Sequence, residues 1–368
     1  MSGYYLILIW IAACAVCAFL EGGNLKQEEM VAGRRRIRFT PVFAVIAFLP
    51  VIIWAGFRPR FADTGAYMSM YKKVPSSLGS IPSYAASISK DKGFAVLTAL
   101  IRSVFGSNVH VYFLILAMIQ GLLLLHFFRK YSEDFVFALF VFVASTDYYS
   151  WMFNGIRQFV AVTICLASTG FVLKKKFVPA ILLILLASTM HASALLMIPV
   201  IFIVQGKAWN FRTVLCILLS VIIVLYVGRF TNLLDTLLSD TQYKNVVSDW
   251  KSWNDTGTNG LRVAVYSVPT VLSVIGLRFI READDPVINL ACNMAVISTG
   301  LYIVSMFTSG IFIGRLPIYT SLFATGVLLP WEIDNMFTEL SARLVKVLAV
   351  LAYLAFYYYQ MHMTWQVV

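Results

Sequence analysis

Four places along the chain carry polar groups where an apolar polypeptide has no need of them. Trp151-Met-Phe-Asn154-Gly-Ile-Arg157-Gln158 stands at the mouth of a long apolar run and His191 lies inside another. Asp63 follows Arg58 and Arg60 just after a third run, and Arg315 opens a fourth in Gly314-Arg-Leu-Pro317. Charged side chains at hydrocarbon depth are expensive, so each needs a partner or a task. Guanidinium groups grip phosphate oxygens in bidentate fashion and stabilise the charge that grows as a bond to phosphate breaks. A nearby imidazole or carboxylate can take the proton from an attacking hydroxyl. Arginines, one histidine and one carboxylate therefore suit an anionic, phosphate-bearing lipid better than a neutral solute.

Each residue also has a plainer reading. Arg157 can snorkel from a helix end, Arg58 and Arg60 can be solvated anchors, and Arg315 can meet head groups. His191 has Ser188, Thr189 and Ser193 as local partners, and Asp63 suits a helix N-cap. Trp151, Tyr148, Tyr149 and Tyr67 can stack on sugar rings or form an interfacial aromatic belt. At 100° per residue, Trp151, Asn154, Arg157 and Gln158 share an arc of about 120°, so one face of that helix is polar where it meets the membrane. His110, His126 and His362 read as interfacial. His191 has no companion at metal-ligand spacing, so no metal site is expected.

The elements that must position these residues follow from composition. With 60% hydrophobic and 13% charged residues, the chain cannot bury its apolar surface as a soluble domain. Its apolar runs are continuous rather than alternating, which points to helices and away from a β-barrel. Spans are predicted near residues 3–20, 40–56, 108–128, 135–146, 157–173, 212–227, 262–280, 287–306, 316–330 and 343–360. The stretch 177–205, about 43 Å if straight, is too long for one ordinary span. If it turns back at His191, the short basic loops all fall on one side, with roughly 16 of the 29 Lys and Arg residues, and that side is cytoplasmic. The expectation is a single all-α polytopic transmembrane domain over 1–368, with about 10 to 12 transmembrane helices and a re-entrant or hairpin segment around His191. Two longer outer loops are expected, at about 57–107 and 228–261. Within the first, residues 94–105 read as an interfacial helix with Arg102 toward head groups. The five cysteines all fall in apolar runs, as packing residues do. No internal repeat and no glycine-rich phosphate loop is present.

Arg58-Pro-Arg-Phe-Ala-Asp63-Thr-Gly-Ala-Tyr67, Asn154-Gly-Ile-Arg157-Gln158, Leu-Ala-Ser-Thr-Met-His191-Ala-Ser-Ala-Leu and Gly314-Arg315 occur in an order and spacing that resemble the EpsG-type branch of the Wzy polysaccharide polymerases. The resemblance implies a glycosyltransferase-C-like fold in a bacterial cytoplasmic membrane, with its site facing the periplasm or exterior. It implies transfer of a glycan from undecaprenyl diphosphate to a sugar hydroxyl of another lipid-linked repeat unit, for O-antigen, capsule or exopolysaccharide. Carried onto this chain, Arg157 and Arg315 would hold the leaving diphosphate, His191 would help activate the acceptor, and Asp63 would orient it or act as base. Arg58, Arg60, Tyr67, Trp151, Asn154 and Gln158 are the expected substrate-binding residues. Neither nucleotide, metal nor other cofactor is expected, and no nucleic acid. Membrane lipids, a chain-length regulator and other polysaccharide-assembly proteins are the expected partners. Two alternatives stay open. A flippase would use the same arginines for binding but should line a path across both leaflets. A transferase or ligase working from a lipid carrier would usually place paired acidic residues in the first outer loop, where Asp91 lies far behind Asp63.

Overall fold

A computed structural model of the chain describes residues 2–58, 60, 63–238 and 252–364. Residues 239–251 of the second expected outer loop, and Pro59, Phe61 and Ala62 of the first, lie outside the described residues. The described residues are predominantly helical. Among the described residues, five helices are long and apolar enough to cross a membrane: Gly3–Leu20, Val109–Tyr131, Ile156–Leu173, Pro286–Met306 and Glu339–Thr364. Two bent pairs, Phe211–Leu225 with Val227–Leu237 (102°) and Gly260–Ile275 with Leu277–Ala283 (70°), bring the number to seven. The gap from the expected 10 to 12 lies partly in shorter apolar helices, among them Pro41–Gly56, Phe135–Ala144 and Phe177–Met190. A helix of 10 residues such as Phe135–Ala144 covers only about 15 Å, half a hydrocarbon core.

The described residues pack as two compact units, Met1–Ile198 with Glu339–Val368, and Pro199–Thr338. In the first unit the Pro41–Gly56 helix lies on Val109–Tyr131. Small residues permit the approach, since a Cβ on Gly121 would meet the Ile52 side chain at 2.4 Å and one on Gly56 would meet the Leu114 Cα at 2.9 Å. The Ile156–Ala167 helix packs on Val109–Tyr131 and on Phe177–Met190. The latter follows a turn at Lys174–Lys176 so short that the chain must run back, which returns His191 to the end of the unit where Arg157 begins its helix.

At the opposite end a β-hairpin replaces the helix-only expectation. Lys26–Val31 pairs antiparallel with Arg34–Phe39, Glu29 opposite Arg36. Ala32 and Gly33 form the two-residue turn with φ of 50° and 83°, the doubly positive geometry that fits a hairpin's twist. The hairpin is clamped to the end of Val109–Tyr131: Arg129 donates to the Phe39 carbonyl at 2.7 Å and pairs with Glu29, and Arg36 meets Glu133 at 3.1 Å. Charge runs on both strands hid the pattern, because Arg34, Arg35 and Arg36 look like a solvated loop until their carboxylate partners are placed.

The second unit is built around Pro286–Met306, which is almost wholly buried, with Phe211–Leu225, Gly260–Ile275 and Ile318–Phe323 against it. Gly300 lets Ser220 approach to where a Cβ would be 2.6 Å from its Oγ. Asn293 ties the 204–209 turn down, accepting from Trp209 N–H at 2.9 Å and donating to the carbonyls of Val204 and Lys207. The outer face of Phe211–Leu225 exposes Leu215, Leu218, Leu219, Ile222 and Leu225, an apolar stripe suited to acyl chains. A π-helical stretch, Ala324–Leu328, interrupts the helix that follows Arg315.

Candidate active site

The first unit gathers most of the candidate residues at one end. Gly155 adopts φ 72° at the start of the Ile156–Ala167 helix, a left-handed conformation that costs little only for glycine. The Trp151 ring lies over it, 3.2 Å from where a Cβ would stand. This turn aims two donors outward. Gly155 N–H donates to the Asp63 carboxylate at 3.2 Å, and Arg157 N–H reaches the Tyr67 hydroxyl at 3.5 Å. Asp63 thus occupies the N-cap position of Thr64–Lys73 without a side-chain cap bond. Its carboxylate is spent across the fold, on the turn that carries Arg157.

Arg157 itself donates from Nη1 to Asp91 Oδ2 at 2.8 Å; its side chain is 42% exposed and that of Asp91 only 9%. Asp91 sits at φ 51° before Lys92–Phe105, where aspartate is one of the few residues that tolerates the left-handed region. The helix behind it approaches Phe177–Met190 so closely that a Cβ on Gly93 would meet Thr189 Oγ1 at 2.1 Å. Asp91 accordingly also accepts the backbone N–H of Ala192. One buried carboxylate therefore joins Arg157 to the residue after His191. Burial pushes the Asp91 carboxyl above the ordinary carboxylate range, with Arg157, Ala192 N–H and Lys90 opposing. Burial likewise raises the Tyr67 phenol, against the pull of Arg157.

His191 interrupts the apolar run as expected. The Phe177–Met190 helix ends there, His191 is extended (φ −157°, ψ 122°), and a 3-10 turn follows at Ala192–Leu196. Its Nδ1 lies 2.7 Å from Ser193 Oγ, a contact that orients the ring.

Other candidates lie elsewhere. Arg58 is 6% exposed, bonded to the Met152 carbonyl at 2.5 Å and stacked 4.1 Å over the Phe113 ring, and burial depresses its guanidinium to about 10. It braces the 152–157 turn from inside, rather than presenting a fork to a substrate. Tyr148 and Tyr149 are fully buried, and Tyr67 stands edge-on to Phe94 at 6.0 Å, so none of the three offers a ring face to a sugar. Gln158 is buried as well. Arg60 is exposed, and Trp151 and Asn154 are half-buried. Arg102 does not point to head groups: it donates to the Tyr71 carbonyl at 2.7 Å, satisfying the last turn of Thr64–Lys73.

Arg315 belongs to the second unit, in the 3-10 turn Ile313–Arg315, half-buried. The loop before it is pinned by Asp255, a residue the sequence did not single out. Asp255 accepts from Ser309 Oγ at 2.5 Å and from the N–H groups of Gly310 (2.9 Å), Ile311 (3.0 Å) and Gly257 (3.1 Å). Partial burial opposes its ionisation, but these donors together hold the carboxyl below its ordinary value. Trp253 stacks on Phe312 at 5.6 Å. Two glycines are obligatory here: a Cβ on Gly257 would strike the Met306 carbonyl oxygen at 2.5 Å and one on Gly314 would strike Thr258 Oγ1 at 2.4 Å.

Asp91 and Asp255 carry the same signal in the sequence, an aspartate two residues before a glycine, in Asp91-Lys-Gly93 and Asp255-Thr-Gly257. Both spacings mark turns, and neither names the distant donors that the turn receives. Among the described residues, no three His, Cys, Asp or Glu side chains gather as a metal ion would require. The EpsG family model matches residues 42–365, a span that includes every residue of both clusters. No curated protein and no solved structure matches the chain significantly.

Proposed function

The chain belongs to the EpsG family, which gives this membrane protein a polysaccharide polymerase-like role, and we propose that it joins lipid-linked oligosaccharide repeat units on a glycosyltransferase-C-like helical scaffold. In this reading the donor glycan sits on undecaprenyl diphosphate and the acceptor is a sugar hydroxyl of a second lipid-linked repeat unit, outside the bacterial cytoplasmic membrane. The observation that carries it is the Asp91–Arg157 pair at the mouth of an apolar span, with its half-exposed guanidinium and buried carboxylate.

An incoming diphosphate competes with Asp91 for Arg157. When the guanidinium turns to the phosphate oxygens, Asp91 loses its largest source of stabilisation as an anion and becomes a stronger base. The acceptor hydroxyl attacks the anomeric carbon as the bond from that carbon to the diphosphate oxygen breaks. The hydroxyl proton passes to Asp91, Asp63 or His191, and the diphosphate leaves with its charge on Arg157. The resemblance also gives Arg315 a part in holding the diphosphate, which R315A examines in the same elongation assay. Such a reaction needs no nucleotide, because the diphosphate is already the activated leaving group.

A second reading gains support from one contact. Asp63 and Asp91 both act on Arg157, so two acidic residues of the first outer loop lie near the same guanidinium, the kind of acidic pairing expected of transferases that take single sugars from a monophosphate carrier. Purified protein in nanodiscs separates the two. Elongation of a defined diphosphate-linked repeat unit, without nucleotide sugar or added metal, is the expected result. Transfer from a monophosphate-linked sugar with no elongation would replace the polymerase by the single-sugar transferase.

A further inference from the structure

The first unit holds a second basic site at the far end of the helix that Arg157 begins. Ile156–Leu173 contains 18 residues, so its two ends are about 27 Å apart. Beside Leu173, between the β-hairpin and the ends of two apolar helices, lies a cavity of about 340 Å³. Its polar wall includes His126, Lys130, Lys174 and Lys176, its apolar wall includes Leu166 and Phe171, and no acidic side chain lines it. A hollow of about 460 Å³ at the hairpin's open end makes the contrast: Lys26, Arg38 and Arg129 share it with Glu28 and Glu133. The nearby carboxylates lie outside the lining and pair with arginines, Glu29 with Arg129, Glu133 with Arg36 and Glu28 with Arg35, and of these Glu29 also acts on Lys130 and His126. Lys130, Lys174 and Lys176 thus share a lining that holds no carboxylate of its own.

Cations gathered around a cavity repel one another unless an anion joins them. The walls state what kind of anion. Ammonium groups line one side and aliphatic and aromatic carbons the other, at the basic end of the spans, which the positive-inside rule turns to the cytoplasm. We propose that this cavity binds an anionic phospholipid, its phosphodiester among Lys130, Lys174 and Lys176 and one acyl chain along Leu166 and Phe171. Basic pockets between spans on that side are suited to such head groups. A zwitterionic phospholipid carries the same phosphate together with a cationic group that the three lysines repel, so the site discriminates by net charge. The bound lipid would tie the hairpin to the helix that carries Arg157 and to the Lys174–Lys176 turn that returns the chain to His191.

The test titrates the full-length chain in detergent with phosphatidylglycerol, phosphatidylcholine or inorganic phosphate and counts bound lipid by native mass spectrometry. Lys174 and Lys176 are exposed, so K174Q/K176Q leaves packing intact, and R34Q/R35Q removes the same charge from the hairpin outside the cavity. The expected result is one saturable phosphatidylglycerol site that phosphatidylcholine does not fill. K174Q/K176Q should weaken it roughly 30-fold, about fivefold per lysine, R34Q/R35Q by less than about threefold, and millimolar inorganic phosphate should not displace the lipid. Equal loss in the two double variants would reduce the site to general surface attraction and overturn the proposal. So would equal binding of the two lipids, or displacement by inorganic phosphate, which would make the ligand a free anion.

Discussion

Asp91 and Asp255 are two aspartates on expected outer loops, one in each unit, and their surroundings push them in opposite directions. Asp255 receives one hydroxyl and three backbone N–H groups, a nest that stabilises the anion and spends its lone pairs on holding a loop. Asp91 is more deeply buried, is raised by that burial, and has as its strongest partner the half-exposed Arg157, with only the Ala192 N–H as a backbone donor. A carboxylate held by fixed backbone donors cannot give them up to a substrate. One held by a guanidinium that a diphosphate can capture is able to change its basicity during a reaction. The first arrangement builds structure and the second can do chemistry, although both begin as an Asp two residues before a Gly.

The largest expected effect falls on Arg157. Removing one preorganised charge donor from a transition state costs about 10²- to 10³-fold in rate, so R157A should reduce elongation of a diphosphate-linked repeat unit by that factor. R157K should recover little, because an ammonium cannot present a fork to both a carboxylate and a phosphate. An R157A protein that elongates normally at wild-type abundance would dissolve the contrast between the two aspartates, since Asp91 would then be another structural carboxylate. Next comes D255A, which leaves several donors without their acceptor and should cost about 2 kcal/mol of stability, seen as a lower melting temperature in detergent. D91A should move melting far less and activity far more.

G155A sharpens the comparison on Arg157's side. Alanine at φ 72° costs about 1 to 2 kcal/mol, and its methyl would press on the Trp151 ring. The expected outcome is a modest loss of stability with a larger loss of activity, because the turn that aims Arg157 must shift. Stability lost with activity unchanged would mean that the aim of Arg157 is not critical.

How much of this was legible in the sequence follows from how local each cause is. That Arg157 and His191 share one end could be reasoned from an apolar span, a three-lysine turn too short to do anything but reverse the chain, and a second apolar run. Asp63 could be placed near the same end, though as a helix cap; that it bonds Gly155 instead depends on a contact between residues 92 positions apart. The burial of Arg58 was not legible, because an arginine after a span looks the same whether it faces water or aromatic rings. The hairpin was not legible because its strands carry runs of charge, acidic in Glu28-Glu29 and basic in Arg34-Arg35-Arg36, which solvent or a partner strand satisfies equally well. Asp91 was visible but appeared too far from Asp63 to matter, and only the packing of Gly93 on Thr189 brings it back.

The opposed surroundings also predict opposed pH dependence. A carboxyl raised in the folded state contributes stability that is fully present below its unfolded value of 3.8 and is lost as pH rises through the raised value. A depressed one contributes stability above 3.8 that is lost as pH falls through the depressed value. Melting of D91N relative to the wild type should therefore improve as pH rises from acid to neutral, while D255N should fall further behind over the same range. Slopes of the same sign would show that the two carboxyls differ in partners without differing in proton affinity.

The smallest effect is expected at Arg60, and it tests whether proximity in sequence to Asp63 carries any weight. Arg60 is exposed, and surface substitutions of this kind usually stay within about 0.5 kcal/mol. R60A should leave melting unchanged. A phosphate contact at the rim adds attraction over a distance and is screened by salt, so if Arg60 guides the lipid diphosphate, R60A should raise the apparent KM by less than about fivefold at low ionic strength and not at all at high salt, with kcat untouched. A drop in kcat would place Arg60 beside Arg157 in the transition state, and the division between a pinned aspartate and an exchangeable one would then need a second guanidinium to describe it.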